Sequence, residues 1–477
     1  ETNATNNKAQ VLKAICLRKL GRAPEAIKTL EALLAVDRLD HWALAELAHQ
    51  QKAAARLSPL SRNDAQTALD VAFDYADCGC LAEAAAILEN HHANEVQSVA
   101  VPNPLERSAS TRYALAWLQS LLGDREKSQA SLRAARALPP DYFCPSRLHE
   151  VAILQWALAQ AGPDRNAAYG LGNFLYDKKR HLDAIAAWEK ARTADGAFAT
   201  AHRNLGIAYW NSRRDAAAAR ASYEKALSID PTDSRLVSEF DQLRAKLGDS
   251  AADRLGFLEG HRALVLERDD ATVELAVLYN ETGQPQKALD LLTSRSFHPW
   301  EGGEGKVLRQ YTTARLLLGQ AALTSGDAAC ALEHFNLAMK TPDRLGEKYH
   351  LLQAKADVTF WQGKALRALG GEKESITKFE AAAAESGDFQ GMAVTAYSEL
   401  TVFKALALRE LGREAEARAV LEAMVAHAVA ESKIPARIDY FATSLPNLLV
   451  FEEDIQESKK SQMRHLQQLA NQNLNPR

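Results

Sequence analysis

The sequence predicts an all-α protein, a right-handed superhelical α-solenoid built from helical hairpins, and three observations predict it. The first is a repeat. Within residues 165–231, Gly170, Leu171 and Gly172 lead to Ala184, Trp188 and Ala191; then Leu205, Gly206 and Tyr209 lead to Ala219, Tyr223, Ala226 and Pro231. Gly172 and Gly206 are 34 residues apart, the length of a two-helix unit. The second is steric: antiparallel helices approach closely only where side chains are small, and an aromatic one turn beyond Ala fills the remaining gap. The third is punctuation, with Gly at turns between paired helices and Pro at the exit.

The same grammar runs along the chain in weaker form. Ala14, Leu17, Gly21, Ala26 and Leu30 make a first hairpin; Ala72, Tyr75, Gly79, Ala84 and Leu88 a second; Ala116, Gly123, Ser128, Leu132 and Ala135 a third, closing at Pro139 and Pro140. Their spacings exceed one period, and the apolar periodicity of residues 41–57 and 146–161 supplies extra helices between them. After the central pair the signature lapses. Residues 234–269 are helical by pattern, and Gly248, Asp249 and Ser250 mark a hinge. The grammar returns at Ala276, Tyr279, Gly283, Ala288 and Leu292, then at Gly319, Gly326, Ala331 and Phe335, then at Gly363, Gly370, Ser375 and Phe379, and finally at Ala405, Gly412, Ala417 and Leu421. Residues 448–470 read as a polar capping helix, since a repeat array must end on a solvated face. We therefore divide the chain into degenerate hairpins over residues 1–164, the central pair with its following helix over 165–248, and a second array with inserted loops and a cap over 249–477.

Composition narrows the function classes. A net charge of −4 and no stripe of Lys and Arg argue against a nucleic-acid platform, which needs clustered positive charge. No apolar run reaches the length of a membrane span. Five scattered cysteines suit a reducing, cytoplasmic compartment better than a disulfide framework. The chain begins with Glu1 rather than Met, which we read as a sign that an upstream portion was removed. No nucleophile elbow, phosphate loop or metal-ligand spacing is present, so no catalytic residue, metal or cofactor is assigned.

The period and its small and aromatic positions resemble the tetratricopeptide repeat (TPR). Three further stretches fall outside the repeat: residues 297–305 (Phe-His-Pro-Trp-Glu-Gly-Gly-Glu-Gly), 342–349 and 439–446. With them, the C-terminal half resembles a bacterial family of TPR proteins in which the array follows an upstream β-rich domain similar to mutarotase-like sugar-binding sandwiches. That resemblance implies a chain that serves an upstream domain, and it carries no catalytic residue over.

Two surfaces are candidates. Tyr169, Asn173 and Tyr176, with Arg203, Asn204 and Trp210 one repeat later, occupy first-helix positions that face the concave groove in TPR proteins. Asn173 and Asn204 resemble the asparagines of the family's clamp for a peptide C-terminal carboxylate; Tyr169 stands where a basic residue belongs, so a groove for an extended peptide or a helix is the expectation. The second surface is a loop edge. His298, Trp300, Glu301 and Glu304 lie among three glycines and a proline, and such a loop either docks Trp300 on its own array or presents it to a partner. Because all three extra stretches follow second helices, we expect them to share one edge of the solenoid. The function expected is an interaction scaffold for a protein or peptide, including the upstream domain; the alternative is an accessory of a carbohydrate-active protein, with Trp300 at a glycan site. Cys78-Gly79-Cys80 and the neighbours His91 and His92 read as structural, the first a hairpin turn, the second a pair pointing apart on one helix.

Overall fold

The computed structural model of the chain describes residues 6–51, 63–95, 108–140, 143–300, 302–390, 393–438 and 449–474. It is all-α apart from one short hairpin, a solenoid of helical hairpins as the repeat predicts. Two compact units divide at 215/216, a different division from the limits at 164/165 and 248/249 drawn from the sequence. None of the described helices is long and apolar enough to cross a membrane.

The N-terminal unit, residues 1–215, contains α1 (Asn7–Lys19), α2 (Ala23–Val36), α3 (His41–Gln50), α4 (Ala65–Asp77), α5 (Leu81–Glu95), α6 (Ala109–Leu121), α7 (Arg125–Ala137), α8 (Leu148–Leu158), α9 (Arg165–Asp177), α10 (His181–Ala194) and α11 (Ala199–Ala208), which runs into a π-helical turn at Tyr209–Arg213. Pairs α1/α2, α4/α5, α6/α7 and α9/α10 are antiparallel hairpins, while α3 and α8 are the extra helices expected from their periodicity. The single helix α3 is tied in by charge: Glu46, fully buried, accepts from Arg18 at 2.7 Å and from the Tyr75 hydroxyl at 3.1 Å. A buried carboxylate persists only when paired and hydrogen-bonded in this way.

The C-terminal unit, residues 216–477, contains α12 (Ala216–Ile229), α13 (Ser234–Lys246), α14 (Ala251–Gly260), the one-turn α15 (Arg262–Val265), α16 (Asp269–Glu281), α17 (Pro285–Ser294), α18 (Lys306–Thr324), α19 (Ala328–Ala338), α20 (Ala356–Ala368), α21 (Glu372–Ala384), the antiparallel pair β1 (Asp388–Gln390) and β2 (Ala393–Thr395), α22 (Thr401–Glu410), α23 (Glu414–Glu431) and α24 (Ile455–Leu474). Helix α24 buries Met463, Leu466 and Ala470 and leaves most of its other positions to solvent, as a cap requires. Just before it, Phe451 is buried against the Tyr223 ring of α12, with centroids 5.8 Å apart.

Hairpin turns are built alike. The first helix ends in a left-handed residue whose successor donates back five positions, as in Gly283 (φ +72°) with Gln284 N to Tyr279 O at 2.8 Å. This is a Schellman cap, and it asks for Gly because a Cβ is penalised at positive φ. Gly248 is another such turn, between α13 and α14, with Asp249 held by Arg220 and by Arg244 at 2.7 Å. The hinge read from Gly248, Asp249 and Ser250 is thus a stapled hairpin turn. Two turns depart from the rule: between α9 and α10 the left-handed residue is Lys179, φ +61°, and after α11 it is Arg214, whose successor Asp215 donates back six positions to Tyr209 O at 3.0 Å.

Inside the hairpins the glycines of first helices lie under aromatic rings of second helices. A Cβ on Gly172 would fall 2.4 Å from the Trp188 indole, one on Gly319 2.3 Å from Phe335, and one on Gly363 2.6 Å from Phe379. Each pair is 16 residues apart, whereas Gly206 and Tyr223 are 17 apart. The π-helical turn at Tyr209–Arg213 takes up one extra residue in that repeat, and it ends at Arg214 with φ +52°.

Candidate functional site

The first-helix face of α9 and α11 gathers the groove candidates. Tyr169, Asn173, Tyr176, Arg203, Asn204 and Trp210 are all half-buried, between fully buried neighbours such as Ala168, Leu205 and Ala208. Amphipathic helices place them there: the apolar stripe faces the hairpin partner, and the boundary positions face out. Asn204 Nδ2 donates to Asn173 Oδ1 at 3.3 Å, so the structure joins the two asparagines across neighbouring helices. Trp188 Nε1 donates to the same Asn173 oxygen at 3.1 Å, and Arg203 Nη1 donates to Asn204 Oδ1 at 3.2 Å. The Asn173 carbonyl is therefore fully used within the fold, and the pair is a ladder between repeats rather than two free carboxylate ligands.

The other candidates pack around this ladder. The Tyr169 ring meets Phe198 edge-on at 4.9 Å, and burial pushes its phenol above the usual range. Tyr176 stacks on His181 at 4.7 Å and lies 5.3 Å from Trp188. Asn211 of the π-helical turn donates to the Tyr176 hydroxyl at 3.4 Å, so the widened turn reaches back to the preceding hairpin. Trp210 lies on that turn, its indole N–H buried with no hydrogen-bond partner among the described residues.

A contact not legible in the sequence explains what this face can hold. Asn173 Nδ2 donates to the backbone carbonyl of Phe143 at 2.9 Å. Phe143 begins a stretch without regular structure over residues 143–147, between α7 and α8. Its ring is buried on Gly170, where a Cβ would fall 2.3 Å from it, and lies 6.0 Å from Tyr113. Farther along, Arg147 reaches Asp70 and Gln66 of α4, both at 2.7 Å, and His149 stacks on Phe73 at 4.6 Å while bonding Asp77 at 3.0 Å. One segment of the chain thus lies along the side chains of three first helices, α9, α6 and α4.

The loop edge is built differently. Trp300 is half-buried against the apolar cluster of Leu292, Phe297, Leu308 and Leu345, and Gly303 lies so close under its ring that a Cβ would be 2.1 Å away. The ring face over Gly303 is closed to a stacking sugar. The loop docks onto residues 342–349: Phe297 N donates to Arg344 O at 2.8 Å, and Glu347 accepts from Gly305 N at 2.6 Å and Leu308 N at 2.7 Å, capping α18 with a carboxylate. Two of the three extra stretches therefore meet, and they satisfy each other. His298 stays exposed, bonded to Asp269 through its backbone N–H at 2.9 Å; Glu304 is also exposed. Glu301 and residues 439–446 lie outside the described residues.

The remaining features are structural. Gly79 forms the left-handed turn between Cys78 and Cys80. His91 and His92 are buried toward the end of α5, His92 in its last turn, bonded in different directions to Asn63 at 3.1 Å and Thr111 at 3.0 Å. In the C-terminal unit a pocket of about 380 Å³ opens beside the β-hairpin, with Glu385, Tyr397, Ser398, Thr401 and Lys404 in its wall. Its charges are committed: Glu385 accepts from Lys355 N at 2.8 Å, and Lys404 Nζ donates to the Glu385 carbonyl at 2.7 Å. Near it, burial with the carboxylates of Glu385 and Asp388 close by raises Asp357 to about 6.

Residues 180–234 match the family model described as Tetratricopeptide repeat. The chain carries a tetratricopeptide repeat. Solved structures similar to it include YrrB, described as a TPR protein with an unusual peptide-binding site (18% identity over 46% of this chain and 97% of that one, TM-score 0.30). A TPR protein from Parabacteroides merdae is similar at 14% identity over 63% and 98% of the two chains, TM-score 0.26. The TPR domain of P58(IPK) is similar at 11% over 86% and 99%, TM-score 0.22.

Proposed function

We propose that the chain is a non-catalytic interaction scaffold that binds an extended segment of a protein partner on the first-helix face of α9 and α11. The observation that supports this most directly is the Asn173 amide donating to the Phe143 carbonyl at 2.9 Å. A side chain on this face already reads the main chain of a segment without regular structure, and main-chain contacts of this kind bind peptides with little regard to sequence. On the next first helix Asn204, its amide bonded to Asn173 Oδ1 at 3.3 Å, continues the polar row, flanked by Arg203, Tyr169 and Trp210, whose rings and guanidinium supply the anchors that binding surfaces favour.

The test is a random-peptide display selection on the whole chain, followed by affinity measurement against Asn204→Ala and Arg203→Ala. Selected peptides should bind each variant about tenfold more weakly, the loss of roughly one hydrogen bond's worth of affinity. Peptides whose affinity is unchanged in both variants would place binding elsewhere and overturn the assignment.

A further inference from the structure

The segment from Phe143 to His149 shows what a second surface recognises. Its ends are fixed. Phe143 is buried on Gly170, and Glu150, also buried, accepts from Ser110 Oγ and from Ser146 N and Arg147 N, each backbone donor at 2.9 Å. The contacts between those anchors are of another kind. Arg147 forks between Asp70 and Gln66, and His149 lies flat on Phe73, ring planes 10° apart, beside Asp77. The carboxylates of Asp70 and Asp77 remain 62% and 61% exposed, and Leu148 between the two contacts is 78% exposed. The Arg147 and His149 side chains that meet them are less open, 19% and 39% exposed, and Arg147 also donates to the Gln66 carbonyl at 3.3 Å and to Glu150 at 3.5 Å. Beneath them, Phe73 is 3% exposed, with the His149 ring stacked on it.

Helix α4 therefore carries an acidic and aromatic face, Gln66, Asp70, Phe73 and Asp77, covered by a piece of the same chain that matches it group for group. A planar guanidinium is the group that suits a carboxylate and an amide side by side, and a flat ring two residues later suits the Phe73 face. We propose that this face of α4 is a docking site for a basic peptide of a partner protein, an arginine followed two residues later by a flat ring, and that Arg147 and His149 fill it in cis until such a peptide displaces them. This rests on the scaffold reading but uses a different face from the one on α9 and α11. The tether gives the covering segment a high effective concentration, so an outside peptide meets a competitor that is always present.

The probe is a fluorescent peptide with the sequence of residues 143–150, Ser replacing Cys144, titrated into the whole chain and followed by anisotropy. The double variant Arg147→Ala, His149→Ala vacates the site and should bind the probe at least about tenfold more tightly than the unaltered chain. Adding Asp70→Asn and Asp77→Asn should remove that gain, while Asn204→Ala should leave it intact. Equal affinity for the unaltered chain and the double variant overturns the proposal. So does a gain that Asn204→Ala abolishes, because the probe would then sit on the neighbouring face. If the double variant does not fold, Arg147→Lys, which keeps the charge and loses the fork, should still bind the probe more tightly than the unaltered chain; no increase there overturns the proposal equally.

Discussion

At the scale of single residues, Lys179 is the informative exception. It holds the left-handed position that Gly holds in the other Schellman turns, and it keeps their bonds, with Arg180 N donating to Leu175 O at 2.9 Å. A side chain there is strained by about 1 kcal/mol, partly offset by the unfolded-state freedom that Gly would restore. Lys179→Gly should raise the unfolding free energy of the N-terminal unit by about 0.5 kcal/mol, read as a higher midpoint in denaturant titration; a lowered midpoint would refute the strain. The turn at Lys179 is harder to see in the sequence than those at Gly21 or Gly283, because the signal there is Gly and this turn has none. Tyr169 with Arg203 and Tyr176 with Trp210 can be paired from the 34-residue period, whereas Asn173 and Asn204 are 31 apart and meet only because their helices pack side by side. The bond from Asn173 to Phe143 cannot be read from the period either, since a carbonyl acceptor leaves no trace in the choice of side chain. Arg147 and His149 are equally hidden: their partners on α4 lie 77 and 72 residues upstream, far outside any local pattern.

At the scale of elements, the close contact of Gly on first helices with aromatics on second helices sets the hairpin geometry. Gly363→Ala drives a methyl into the Phe379 ring and should destabilise by about 1–3 kcal/mol, as overpacking does. Phe379→Leu should recover part of that loss in the double variant, although alone it is destabilising; additive losses would show that the two side chains do not meet. The same spacing makes the repeats legible, and the 17-residue interval in the second central repeat is the mark that the π-helical turn leaves in the sequence. The stretches at 297–305 and 342–349 are both visible as anomalies expected on one edge, but the capping of the α18 N-terminus by Glu347 is not, because it depends on how two loops fold over each other. Next to the β-hairpin, Asp357 titrates near 6 rather than in the usual carboxylate range, raised by burial and by nearby Glu385 and Asp388. The fold thus prefers the protonated carboxyl: its contribution is present below about pH 4 and is lost as pH rises through about 6. Asp357→Asn should match the unaltered chain near pH 4 and exceed it near pH 7 by about 1–2 kcal/mol, measured by denaturant titration at both; equal stability at neutral pH would refute the cost.

At the scale of the whole molecule, stability should be local. Helical hairpins in an array contact mainly their neighbours, so a perturbation weakens its own repeat and those next to it and fades with distance along the stack. The division into two compact units at 215/216 sharpens this expectation, because each unit is held by its own internal contacts. Gly363→Ala provides the probe, being deep in the C-terminal unit on α20, whose neighbours are α18, α19, α21 and α22. Hydrogen exchange followed by mass spectrometry should show amides of α18 to α22 exchanging faster in this variant, α16 and α17 less so, and α4 to α10 unchanged. The reciprocal variant, Gly172→Ala, acts under Trp188 in the N-terminal unit and should accelerate α9 and α10 while leaving α18 to α22 as they were. If either substitution speeds exchange uniformly across both units, the chain unfolds as one cooperative body. The binding faces on α4 and on α9 and α11 would then share a single stability, and a peptide bound at one would stabilise the whole array rather than its own end of it.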